Sequence, residues 1–149
     1  MTVDVTTRTE IKRSRDRVAA YAMNPDNVPH WYSNICSVEW KTPRPLAVGS
    51  QIAFVAHFLG RRLAYTYEIA ALEPGDRLIM RTSEGPFPME TTYSFEPTAG
   101  GGTRMTLRNR GAPKGFSRIV APFMSWAIRQ ANRKDLERLR QILEEPGTA

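Results

Sequence analysis

Tyr65, Tyr67 and Tyr93, with Asn109, Asn132, Thr82 and Thr91, are the residues whose types and positions equip this chain for chemistry in an otherwise apolar setting. A phenol can donate a proton or polarise a carbonyl, and a carboxamide offers both donors and acceptors that fix a bound molecule's orientation. Tyr65 with Tyr67, and Thr91 with Tyr93, stand two residues apart, which on a strand puts each pair on one face. The other reactive types are sparse. His57, between Ala56 and Phe58, has the opposite parity to its apolar neighbours and reads as a surface residue; His30 precedes Trp31 and reads as a rim or packing residue. Cys36, the single cysteine, has no base beside it in sequence and reads as a small buried apolar residue. The two histidines lie far apart and the acidic residues alternate onto the outward face, so no metal site is expected. No glycine-rich nucleotide loop or serine elbow occurs, so no cofactor is expected either.

The elements that must hold those groups follow from period and punctuation. Val3, Val5, Thr7, Thr9 and Ile11 alternate with polar neighbours, the period of a half-buried strand. Ser14 and Asp16 offer an N-cap and an early acid for a short helix that ends near Asn24–Pro25, and a second short helix is expected from about Asp26 to Ser33. Six strands are then expected near Ile35–Lys41, Ser50–Leu59, Arg62–Leu72, Arg77–Ser83, Met89–Glu96 and Thr103–Arg110, separated by glycine-containing turns. A long helix from about Phe116 to Glu144 closes the pattern before Pro146–Gly147.

Strand parity assigns an interior. It places Val38 and Trp40, Ile52, Phe54 and Ala56, Leu63, Tyr65, Tyr67 and Ile69 on one face. Leu78, Met80 and Thr82, Met89, Thr91, Tyr93 and Phe95, and Met105, Leu107 and Asn109 join them, and the charged residues take the other face. The last helix alone is long enough to cover such a face, with a stripe of Val120, Met124, Ala127, Ile128, Ala131, Leu136, Leu139 and Leu143. One helix roughly 10–12 Å across cannot fill the concavity of a twisted sheet, so space is expected beside its small-residue half, marked by Ala127 and Ala131. The polar groups parity turns inward must bond to one another, to water or to a ligand. Asn132, four residues from both Ile128 and Leu136, is foremost among them.

Composition bounds the function classes. The 149 residues fit one domain, and no apolar run approaches the roughly 18 residues of a membrane span. Met1 to Lys12 lacks the apolar stretch of a secretory signal, and one cysteine permits no internal disulfide, so a cytoplasmic location is expected. The net charge of +6 is dispersed along the chain with no nucleic-acid module, which argues for a solvated basic surface and against a nucleic-acid partner. Arg118, Arg129, Arg133, Lys134, Arg138 and Arg140 form the solvated side of the last helix and offer transient contact with an acidic membrane.

In their order along the chain, a set of short motifs resembles a bacterial member of the START-like superfamily, in its polyketide cyclase/dehydrase and lipid-transport group related to birch-pollen allergens. The carriers are Asn24-Pro25-Asp26-Asn27 leading to His30-Trp31-Tyr32 and Val38-Glu39-Trp40, Val48-Gly49, Leu72-Glu73-Pro74-Gly75, and Thr92-Tyr93-Ser94-Phe95-Glu96-Pro97 followed by Gly102-Thr103-Arg104-Met105. The resemblance spans about residues 2 to 144. It implies an α+β helix-grip fold, a seven-stranded curved antiparallel sheet wrapped around the C-terminal helix with two short helices between the first two strands. It also implies an internal pocket for lipids, polyketides, quinones or similar molecules.

The expected ligand is a small apolar or amphipathic molecule held by Trp40, Phe54, Tyr65, Tyr67, Met80, Met89, Thr91, Tyr93, Asn109, Ala127 and Asn132. A cyclase or dehydratase using the same pocket, and a co-chaperone-like interaction module using the outer face, stand as alternatives. Gly85-Pro86-Phe87-Pro88-Met89 reads as a stiffened entrance lip.

Overall fold

A computed structural model describes residues 3–58, 60–85, 88–112 and 121–146. Strand β1, Val3–Ile11, leads into helix α1, Arg15–Ala22. Ser14 stands at the N-cap in extended conformation, but its hydroxyl makes no capping bond. Pro25 prevents α1 from continuing, and the Asn24 side chain accepts the Asp26 N–H to start a 3-10 turn, Pro25–Asn27, which runs into α2, Val28–Trp31. The expected second helix is therefore two pieces, a 3-10 turn and a short α-helix with Pro29 in its first turn.

Strands β2 (Ile35–Trp40), β3 (Gln51–Phe58), β4 (Arg61–Glu73), β5 (Arg77–Glu84), β6 (Met89–Pro97) and β7 (Thr103–Gly111) follow, and helix α3 spans Ala121–Glu144. The expected turn from Phe116, together with Val120, Arg118 and Phe87 of the lip, lies outside the described residues.

All seven strands form one antiparallel sheet in the order β1-β7-β6-β5-β4-β3-β2, so the chain meanders from β2 to β7 and β1 closes beside β7. Register shifts interrupt β4 against β5 at Thr66/Tyr67 and Ile69/Ala71. Such bulges bend a strand and increase its twist, and on this 13-residue strand they curl the sheet around α3. A third shift lies in β2 between Ile35 and Ser37 and turns Cys36 outward. Cys36 is thus exposed, not buried as its type suggested; its thiol reaches the Val55 carbonyl at 3.3 Å.

Parity sorts the faces as expected. Ile52, Phe54, Leu63, Tyr65, Ile69, Leu78, Met80, Tyr93, Phe95, Met105 and Leu107 are buried. The outer face carries ion pairs that run across strands, Arg81–Glu90–Arg110 and Asp4–Arg108 among them. At one end of the sheet Ile11, Leu78, Phe95 and Met105 form a single core with Leu136, Leu139 and Leu143 of α3 and with Val18, Ala19 and Ala22 of α1. At the other end the apolar residues fall into two smaller groups, Val3, Val5 and Met124 near Ile128, and Leu63 and Tyr65 near Ala56 and Met89.

Candidate functional site

Between those two groups lies a cavity of about 110 Å³. One water needs roughly 10–15 Å³, so this space holds several waters or one ring-sized molecule. Phe54 and Ala56 of β3, Leu63, Tyr65 and Tyr67 of β4, and Met80 of β5 build one wall. Met89, Thr91 and Tyr93 of β6 and Asn109 of β7 build the next, and Met124, Ile128, Ala131 and Asn132 of α3 form the roof. Tyr32, Asn34 and Ile35, at the corner from α2 into β2, close the side.

The wall is held by close packing. The Tyr67 ring meets Phe54 edge-on at 5.8 Å and Tyr65 at a tilt at 5.9 Å, and Trp31 wedges Tyr32 and Tyr93 edge-on at 5.4 and 5.6 Å. Glycine lets the backbone come close to two lining side chains. A Cβ on Gly85 would lie 2.4 Å from the Tyr65 ring, and one on Gly111 would lie 2.2 Å from the Met89 sulfur.

The polar groups form one string. Thr91 Oγ1 donates to Asn109 Oδ1 at 2.6 Å, Asn109 Nδ2 donates to the Tyr32 hydroxyl at 2.8 Å, and that hydroxyl donates to Asn132 Oδ1 at 3.2 Å. Asn132 is 1 % exposed, and its Nδ2 has no partner among the described residues. Three positions along α3, Asp135 is also 1 % exposed. Its Oδ1 accepts the Ser33 N–H at 3.0 Å and the Ser33 hydroxyl at 2.8 Å, while Oδ2 is buried without a partner among the described residues.

Burial pushes the Asp135 carboxyl up to about 6, against the opposing pull of the Ser33 bonds. Burial likewise pushes the Tyr67 phenol up to about 12, with the Thr91 hydroxyl working against it, and it raises Tyr65, Tyr93 and Tyr32 as well. Every one of these phenols is neutral at physiological pH, so each can donate a hydrogen bond and none supplies a base.

With that geometry in view, a family described as polyketide cyclase / dehydrase and lipid transport matches residues 2–144. The chain belongs to that family. Among solved structures, the family fold is shared with a START superfamily protein from Mycobacterium smegmatis, 13% identical, at a TM-score of 0.81 over 95% of this chain and 97% of that one. The Zhui aromatase/cyclase from Streptomyces sp. R1128 is 11% identical, with a TM-score of 0.79 over 100% of both chains. The ginseng major latex-like protein 151 from Panax ginseng is 15% identical, with a TM-score of 0.74 over 97% and 99%. No curated protein matches. Among the described residues, no helix is long and apolar enough to cross a membrane, and no group of side chains is arranged to hold a metal ion.

In this family member the cavity gathers Phe54, Tyr65, Tyr67, Met80, Met89, Thr91, Tyr93, Asn109 and Asn132 of the residues singled out in the sequence. Trp40 is not among them. It faces the expected side, but at the opposite end of its strand, where its indole donates to Asp26 Oδ1 at 2.9 Å and the Arg44 guanidinium lies 4.4 Å over its ring. Ala127 also stays off the lining; the cavity-facing side of α3 runs through Met124, Ile128, Ala131 and Asn132. His30 and His57 are exposed.

Two residues escaped sequence reasoning, Tyr32 on the cavity lining and Asp135, which is buried three positions from Asn132 but off the lining. Tyr32, the middle of the polar string, sits where a short helix gives way to a strand, and no period reports its direction. Asp135 corrects the expectation that acidic residues lie outward, and its spacing held the signal: it follows Asn132 by three and precedes Leu139 by four, which puts it on the buried stripe.

Proposed function

We propose that this chain binds a small apolar or amphipathic molecule in the cavity between the sheet and α3, and carries it instead of transforming it. The observation behind this reading is the cavity itself. Its aromatic and aliphatic walls supply affinity and its polar string supplies orientation, the usual division of labour in small-molecule sites. General acid–base chemistry needs a titratable group within reach of the substrate, and the phenols on the wall stay protonated at neutral pH. We place the carrier in the cytoplasm, with α3 as its membrane-facing side: exposed Phe123 and Trp126 stack at 5.9 Å on the helix that also exposes Arg133 and Lys134.

Native mass spectrometry of the protein purified from its own host tests the reading. A bound mass that denaturation releases is expected; protein that runs only at its bare mass, from every growth condition tried, sinks it.

Asp135 favours a second reading, a cyclase or dehydratase using the same cavity, because it is a buried carboxyl three positions from the lining residue Asn132 and its pKa, pushed to about 6, suits proton transfer. Tyr93→Phe and Asn132→Ala separate the two. Lost turnover of the host-derived molecule with binding kept supports the enzyme; a molecule recovered unchanged after long incubation supports the carrier.

A further inference from the structure

The polar string has a direction. From Thr91 through Asn109 and Tyr32 to Asn132, each group donates to the next, so the string ends on a buried donor, Nδ2 of Asn132, a residue of the cavity roof. Hydrogen bonds aligned head to tail polarise one another, and the last donor of such a chain binds an acceptor more strongly than an isolated amide does. A buried amide with no partner among the described residues is costly to the fold, and an acceptor on a bound molecule removes that cost.

Charge and size narrow the class further. None of the described lining residues is cationic, and a buried anion without a paired cation is strongly disfavoured. The buried Asp135 carboxyl, one helical turn from Asn132, adds to that exclusion. A volume of about 110 Å³ suits a single ring.

We propose that the cavity selects an uncharged, ring-sized molecule bearing a carbonyl-type oxygen, and that Asn132 Nδ2 donates to that oxygen. The claim rests on the binding reading above and specifies its ligand chemistry. The lack of a cation among the described lining residues, with the Asp135 carboxyl nearby, disfavours carboxylate-bearing lipids.

Calorimetric titration of the full chain with acetophenone, α-methylstyrene and benzoate tests it, because the first two differ only in an oxygen replaced by a methylene. Asn132→Leu is expected to weaken acetophenone about tenfold relative to α-methylstyrene, which corresponds to about 1.4 kcal/mol. Benzoate is expected not to bind. Amide NMR of the wild-type chain gives a second measure that needs no variant: the Asn132 side-chain proton resonance should move downfield with acetophenone and stay put with α-methylstyrene.

Equal losses for both neutral probes in Asn132→Leu, an unmoved Asn132 resonance, or benzoate binding as tightly as the ketone overturns the assignment while leaving the carrier reading intact. Failure of all probes, together with bare-mass protein from the host, removes both.

Discussion

The two ends of the sheet are made of the same kinds of residue and pack differently. At one end Leu136, Leu139 and Leu143 of α3 meet Ile11, Leu78, Phe95 and Met105 with α1 behind them, and the core is continuous. At the other, α3 offers Met124, Ile128, Ala131 and Asn132, α1 contributes nothing, and the core splits around a cavity. Hydrophobic patterning on the strands does not distinguish the ends. What differs is the side-chain size on the helix and the presence of a second layer. One fold thus divides its labour: the filled end anchors the helix, and the unfilled end is free to hold something else.

The comparison breaks most visibly at Leu139, which is fully buried. Leu139→Ala is expected to cost about 2–5 kcal/mol, and to lower Tm by about 5–15 °C in a chain of this size, as measured by thermal unfolding followed by circular dichroism. A loss below about 1 kcal/mol would mean that the filled end is as loosely packed as the other.

Asp135 lies where the two ends meet, and its effect depends on pH. Its folded-state pKa is raised from 3.8 to about 6, so between about pH 4 and 6 the folded chain holds the proton more tightly than the unfolded chain. The stabilisation is fully present below about pH 4 and is lost as pH rises through about 6, amounting to up to about 3 kcal/mol at 1.36 per pH unit. Asp4, Asp26 and Glu90, held low chiefly by hydrogen bonds from arginine, act in the opposite sense as pH falls. The difference between wild type and Asp135→Asn in urea unfolding therefore isolates the Asp135 share. It should shift in favour of the variant from pH 4 to pH 7, and a flat difference would place the carboxylate in contact with water.

Legibility followed the same divide. Period-two alternation fixes which face a strand residue takes, and every described interior assignment from Ile52 to Asn109 followed from it. Parity is silent on height along the strand. That is why Trp40, correct in face, lies at the far end from the cavity, paired with Ile52, while Ile35 at the start of β2 pairs with Ala56 and lines it. Glycine and proline punctuation located the turns, but the bulge that turns Cys36 outward leaves no local mark. On α3 the spacing that identified Asn132 applies equally to Asp135. A carboxylate is usually read as solvated, and its burial here depends on Ser33, a partner distant in sequence. Tyr32 depends on the same tertiary corner.

That corner gives the next effect in size. Tyr32→Phe keeps the ring against Trp31 but strands Asn109 Nδ2 and Asn132 Oδ1. A loss of about 1–2 kcal/mol is expected in chemical denaturation, the cost of leaving buried polar groups unpaired. Thr91→Val in the same background should then cost less than it does in wild type, since groups in one network do not act additively. Additive costs would show that the string is a set of independent contacts.

Ala131→Leu is expected to change stability least and to say most about the comparison. Ala131 faces the cavity, so the added carbons enter empty space instead of a packed neighbour. Enlarging a residue in a filled core costs about 1–3 kcal/mol, whereas here the change should stay within about 1 kcal/mol of zero and can be favourable. Binding should respond differently, because a side chain reaching into a cavity of about 110 Å³ displaces any ring-sized occupant. The molecule recovered with wild type should then be missing from the variant, and titration with a neutral aromatic probe should give no heat. If Ala131→Leu instead destabilises the chain as Leu139→Ala does, the end that looks hollow is packed in solution. If it leaves binding untouched, the ligand sits elsewhere.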